Sequence, residues 1–136
     1  MSIELKRDHR SALAQTLTIR EHDLFTDASL AEGGMDAGPS PHDLYDAALA
    51  ACKAVTVMWY ARKKGIPIDD IHTQIERDDT QERSGVYRLT ARLQISGALT
   101  DAQLEELAAV AQKCPVHKLM ATVTTEIKTQ IVRMPE

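Results

Sequence analysis

Ser40-Pro-His-Asp-Leu-Tyr-Asp-Ala-Ala-Leu-Ala-Ala-Cys-Lys-Ala-Val-Thr-Val-Met-Trp-Tyr-Ala-Arg-Lys-Lys-Gly65 is the stretch whose reading decides the fold. Ser40 can cap the free amides of a helix start, and Pro41 suits the first helical position. Asp43 stands where a capping-box acid reaches back. Gly65 and Pro67 stop the helix after Lys64. Between Leu44 and Ala61 the helix is apolar nearly all round, with Asp46, Lys53 and Lys64 as one narrow polar stripe. That is the pattern of a helix covered on most sides. The run Ala47-Ala-Leu-Ala-Ala51 would let a second helix backbone come close. So much apolar surface in 136 residues is hard for one subunit to cover.

Working outward, Glu32-Gly-Gly-Met-Asp-Ala-Gly-Pro-Ser-Pro41 is too rich in Gly and Pro for a helix interior. Before it, residues 3–8 and 14–22 alternate with period two, and Leu24 to Asp27 adds a short strand. After the helix, Ile68 to Glu76 and Val86 to Ile95 read as strands around a polar turn. Thr100 and Gln103 form a second capping box, followed by Leu104, Leu107, Ala108 and Ala111 on one face. Cys114-Pro115 ends that helix, which places Cys114 at a helix C-terminus, where the dipole disfavours a thiolate. Ala121 to Val132 alternates β-branched with polar residues and predicts a last strand. Strands, central helix, strands, second helix and strand make an α+β domain, single over residues 1–136.

Composition narrows the function classes. Apolar residues are 43% and charged residues 26%, as in an ordinary globular fold. The aromatics are only Phe25, Tyr45, Trp59, Tyr60 and Tyr87, so the core must come from Leu, Ile, Val and Ala. A net charge of -4 with mixed signs leaves no basic footprint for nucleic acid. The longest apolar run, Ala54 to Ala61, is far short of a membrane span. Charges in Met1-Ser-Ile-Glu-Leu-Lys-Arg stand where a signal peptide needs apolar residues, and a cytoplasmic location is expected.

In a reducing compartment Cys52 and Cys114 are either buried inert thiols or redox groups, and spacing alone leaves both open. Redox chemistry would be specific. A thiolate attacks a peroxide O–O bond and becomes a sulfenic acid, and a second thiol condenses with it to a disulfide. An external dithiol resets the pair by exchange, and neither metal nor organic cofactor is needed. A zinc site from Cys52, Cys114 and His117 would have one short C-x-x-H spacing and no fourth ligand.

Gly33-Gly-Met-Asp-Ala-Gly-Pro-Ser-Pro-His-Asp-Leu-Tyr-Asp-Ala-Ala-Leu-Ala-Ala-Cys52, continued to Gly65, resembles the first cysteine box of the OsmC/Ohr family of peroxide-reducing proteins. Ala111-Gln-Lys-Cys114-Pro-Val-His117-Lys-Leu resembles its second, in the same order and at a fitting gap. Arg20-Glu-His-Asp-Leu-Phe-Thr-Asp27 is similar to the strand before the loop in the OsmC-like branch. The resemblance implies an intertwined homodimer, its central helices wrapped by antiparallel β-sheets, with two sites at the interface. It implies a peroxidase for organic hydroperoxides with Cys52 as nucleophile, Cys114 as resolving thiol, and an external thiol or dithiol reductant. In peroxidase members an arginine from an early strand or loop activates the nucleophile, held by an acid just after the loop proline. Here Arg20 is the nearest arginine before Cys52, and the acid position holds His42, followed by Asp43.

Helix geometry tests these candidates. Asp43 lies about 900° before Cys52, on the opposite face, and reads as a cap. His42 lies about 80° off and roughly 15 Å away, and reads as solvated. Tyr45 and Thr56 share the face of Cys52 and are expected to line the substrate pocket. Lys53, about 100° round the helix, is expected to pair with Asp46 or face solvent. His117 can tune Cys114 but reads as an exposed turn residue, and His22 can enter the site only from a partner subunit. The altered arginine and acid positions motivate a second reading, a non-catalytic module whose thiol-lined pocket binds a small apolar or electrophilic ligand.

Overall fold

The computed structural model describes residues 1–135. Its elements in chain order are β1 (Ile3–Arg7), β2 (Gln15–Ile19), β3 (His22–Thr26), α1 (Pro41–Lys64), β4 (Asp70–Asp78), β5 (Arg88–Ser96), α2 (Asp101–Gln112) and α3 (Pro115–Ala121). Short 3-10 turns at Leu30–Glu32 and Glu82–Ser84 complete them. Strands β1, β2 and β3 form one antiparallel sheet in that order, and β4 pairs with β5 in another. The chain clusters into two compact units, residues 1–51 with 72–93, and residues 52–71 with 94 onward. Helix α1 begins in the first and ends in the second.

In the first unit the three-stranded sheet is held in register by Leu5 opposite Leu17 and Leu17 opposite Leu24. The β2–β3 reversal is the two-residue loop Arg20-Glu21, and Arg20 adopts φ 56 to make it. The Gly/Pro loop is tied down by Asp27, whose carboxylate accepts from the backbone amides of Ala28, Met35 and Ala37 and from Ser11 Oγ. Its reward for burial is therefore four donors. The expected capping box opens α1: Ser40 N–H donates to Asp43 Oδ2 at 2.9 Å, and Asp43 N–H to Ser40 Oγ at 3.1 Å.

The second unit holds most of the buried apolar residues. Val57, Ala61, Ile66, Leu107 and Cys114 are buried there. Gly65 takes φ 70 at the end of α1, and Ile66 N–H returns to Ala61 O, satisfying one of the last helical carbonyls. Thr100 and Gln103 make the second capping box in full. Gly97, at φ 141, lies against Pro67, whose carbonyl oxygen would be 2.2 Å from any β-carbon there. Only glycine fits that approach.

Three sequence expectations change. Helix α2 ends at Gln112, and Cys114 is not its C-terminus but the residue that caps α3, with φ -63 and ψ 148 and Pro115 at the first helical position. Proline excludes helix from the residue before it yet suits a helix start, so one dipeptide ends one helix and begins the next. The argument that a helix C-terminus disfavours a Cys114 thiolate therefore falls away. The expected last strand is also absent: Ala121 closes α3, and residues 123–135 form neither helix nor strand. Its alternation fits a strand, but a strand needs an edge to pair with, and Ile127 and Ile131 stand 80% and 97% exposed. The apolar girdle of α1 is likewise only partly covered, with Val55 and Trp59 at 67% and 60%.

Candidate functional site, a thiol pair beside a buried lysine

Cys52 and Cys114 are both free thiols, the first half-buried and the second fully buried. They are 62 positions apart in the chain, yet Cys52 lies close enough to push the Cys114 thiol up. The turn into α3 supplies donors. Val116 N–H donates to Cys52 Sγ at 3.4 Å, and the backbone N–H of His117 holds the Cys114 thiol down. Pro115 has no N–H, so these are the first amides the turn can offer. Thr56 Oγ1 lies 3.8 Å from Cys52 Sγ, one turn along the same face of α1.

Lys53 departs from expectation. It neither pairs with Asp46 nor faces solvent, but is 6% exposed. Its Nζ donates to Ala111 O at 2.8 Å and meets His117 Nδ1 at 2.9 Å. Ala111 stands near the end of α2, where carbonyls lack intrahelical partners, so the lysine satisfies a group that needs a donor. An ammonium has no acceptor, so His117 Nδ1 must accept and its ring proton sits on Nε2. His117 is accordingly half-buried and engaged rather than an exposed turn residue. Burial pushes the Cys114 thiol up, and the neighbouring Cys52 acts the same way. The His117 amide and the Lys53 charge pull it down.

The remaining candidates lie in the first unit. Arg20 is at the exposed β2–β3 loop, with Met1 Sδ 3.7 Å from its guanidinium. His42 is exposed and bridges Glu82 at 3.0 Å rather than standing free. Together with Pro41, Tyr45 and Tyr87 these two line an open groove of about 390 Å³, where Tyr45 packs toward Tyr87. Asp43 combines its capping role with a bond to Arg77 Nη2.

Sequence reading overlooked Arg77, because it searched for an arginine only before Cys52. Arg77, on β4, bonds both Asp43 and Asp46, and Tyr87 Oη donates to the second oxygen of Asp46 at 2.6 Å. The signal was present: two aspartates three apart share one helix face and call for a cation. The Lys53–His117 pair had no such signal, since the α2–α3 junction that joins them was read as a simple helix end.

A thiol pair buried on an α+β scaffold, with a cysteine at the mid-point of a long helix and another before a proline, defines the class of protein. Residues 33–129 match the OsmC family model, described as OsmC-like protein, and the chain belongs to that family. Solved structures share its fold. The OsmC-like protein of Mycoplasma pneumoniae is 20% identical, with 90% of this chain and 87% of that one covered at a TM-score of 0.71. An organic hydroperoxide resistance protein OsmC of Legionella pneumophila is 21% identical, with 89% and 88% covered at 0.63. The organic hydroperoxide resistance protein OhrB of Bacillus subtilis is 22% identical, with 89% and 90% covered at 0.57. No curated protein matches the chain in sequence. The fold is α+β and OsmC-like, and among the described residues no helix is long and apolar enough to cross a membrane.

Proposed function

We propose that the chain is a cysteine-based peroxidase for organic hydroperoxides, working as one OsmC-like domain in a cytoplasmic homodimer. The observation that carries this reading is that Cys52 Sγ accepts from Val116 N–H, two residues past the second free thiol, Cys114. Cys52, the more accessible sulfur, attacks the outer oxygen of the hydroperoxide as a thiolate. The O–O bond breaks, the alkoxide leaves and takes a proton to become the alcohol, and Cys52 becomes a sulfenic acid. Cys114 then attacks that sulfur. The disulfide forms, hydroxide leaves, and the Cys114 proton makes it water. An external thiol or dithiol restores both thiols by exchange. Tyr45 and Thr56 keep their assignment to the substrate pocket and Arg20 its assignment to stabilising the thiolate. The uncovered Val55, Trp59, Ile127 and Ile131 support a second copy as the cover.

One equivalent of cumene hydroperoxide should convert the protein to an internal Cys52–Cys114 disulfide, read by mass spectrometry, and a dithiol should then sustain turnover. Retained turnover in Cys52→Ser would overturn the assignment. The second reading, a pocket that binds an electrophile without turnover, is favoured by the hydrogen-bond partners of Cys52 Sγ, which among the described residues are Thr56 Oγ1 and the Val116 N–H and include no guanidinium. It predicts a one-to-one adduct at Cys52 and no sustained peroxide consumption.

A further inference from the structure

The resolving step asks a fully buried sulfur to become an anion. Burial opposes that charge, and a thiolate formed in such a place needs a cation nearby. Lys53 is the residue placed to supply it. Its ammonium bridges Ala111 O and His117 Nδ1, the residues three before and three after Cys114, and so straddles that position. The same side chain is almost wholly buried, and among the described residues no carboxylate forms a salt bridge with it. Both of its partners are neutral acceptors, so its charge is hydrogen-bonded but uncompensated. A buried, unpaired cation beside a buried thiol lacks only its anion.

We infer that Lys53, held in place by Ala111 O and His117 Nδ1, is the counter-cation of the Cys114 thiolate during disulfide formation. The inference rests on the two-thiol reading above. Lys53 stabilises the sulfur anion as it attacks the Cys52 sulfenic acid, and the thiol proton finishes on the departing hydroxide as water. Lys53 needs to gain or lose no proton in that step. His117 is a positioning residue: it acts through the lysine. The titratable groups acting on Cys114 are Cys52 and Lys53 from α1, while α3 presents the His117 amide to Cys114 and the His117 ring to Lys53, and α2 presents the Ala111 carbonyl to Lys53. A like-charged Cys52 thiolate would oppose ionisation of Cys114, so the cation matters most once Cys52 has become a neutral sulfenic acid.

The test follows Cys114 through the β-carbon NMR shift of labelled cysteine as pH is raised, which needs no reagent to reach a buried sulfur and no peroxide. Lys53→Met should raise the Cys114 midpoint by at least about one pH unit, a tenfold change in the ionisation equilibrium. Lys53→Arg should restore most of it, and His117→Ala should give a smaller rise. An unchanged midpoint in Lys53→Met would overturn the inference. Should that variant fail to fold, His117→Ala decides alone: a rise supports the inference and an unchanged midpoint overturns it. In the same proteins one equivalent of cumene hydroperoxide should leave Lys53→Met with about tenfold slower disulfide formation and more sulfinic acid on Cys52. A wild-type protein that never oxidises Cys52 would refute the peroxidase reading, while the titration would still report on Lys53.

Discussion

Helix α1 carries two buried charges into its surroundings, and they are treated oppositely. Asp46, in the first unit, is 5% exposed and meets Arg77 on one oxygen and the Tyr87 hydroxyl on the other. Lys53, in the second, is 6% exposed and meets only a carbonyl and an imidazole. The first arrangement is closed: each polar atom is answered and the charge is neutralised on the spot. The second is hydrogen-bonded yet electrically open. Unpaired buried charge is costly, and the counter-cation role inferred for Lys53 would offset that cost with an anion formed during chemistry.

The largest effect should come from opening the closed cluster. Asp46→Ala leaves Arg77 Nε and the Tyr87 hydroxyl without their acceptor, and should cost about 2 to 3 kcal/mol, less than a fully buried pair because Arg77 keeps Asp43 and is 30% exposed. Urea unfolding monitored by circular dichroism measures it, and a loss under about 0.5 kcal/mol would break the contrast. The same measurement on Lys53→Met should show a change within about 1 kcal/mol. There the orphaned Ala111 carbonyl is offset by removal of an unpaired charge. A loss equal to that of Asp46→Ala would mean the lysine is structural after all.

The smallest effect is in alkali. Tyr87 is pushed up to about 12 by burial and then by its bond to Asp46. A raised folded value means that the folded state holds the proton longer than the unfolded chain does. The stability linked to Tyr87 is therefore whole below about pH 10 and fades as pH rises toward 12. Tyr87→Phe should flatten that part of the stability curve, read as the unfolding midpoint against pH. An equal slope in both proteins would place the alkaline loss elsewhere.

Much of the fold was legible in residues with strong local chemistry. Ser40, Pro41 and Asp43 mark a helix start because their side chains answer its free amides, and Thr100 with Gln103 does so again. Gly65 and Pro67 mark its end for equally local reasons. The two cysteine boxes stood out as a family resemblance for the same reason that they are readable at all: long motifs constrain many neighbours at once. What escaped was tertiary. Cys114-Pro115 satisfies the rule for a helix end and the rule for a helix start, and nothing local says that both apply. Lys53 has no sequence neighbour that shows it will be buried, because its partners Ala111 and His117 lie about sixty residues away. Residues 121–132 carry the alternation of a strand, but alternation describes a face and cannot provide an edge to bind.

Pro115 has a consequence for counting. Because it contributes no amide, the turn into α3 offers one backbone donor to each sulfur, Val116 to Cys52 and His117 to Cys114. The imino ring thus limits how many amides reach the two sulfurs, and any residue with an N–H at position 115 would upset that ratio.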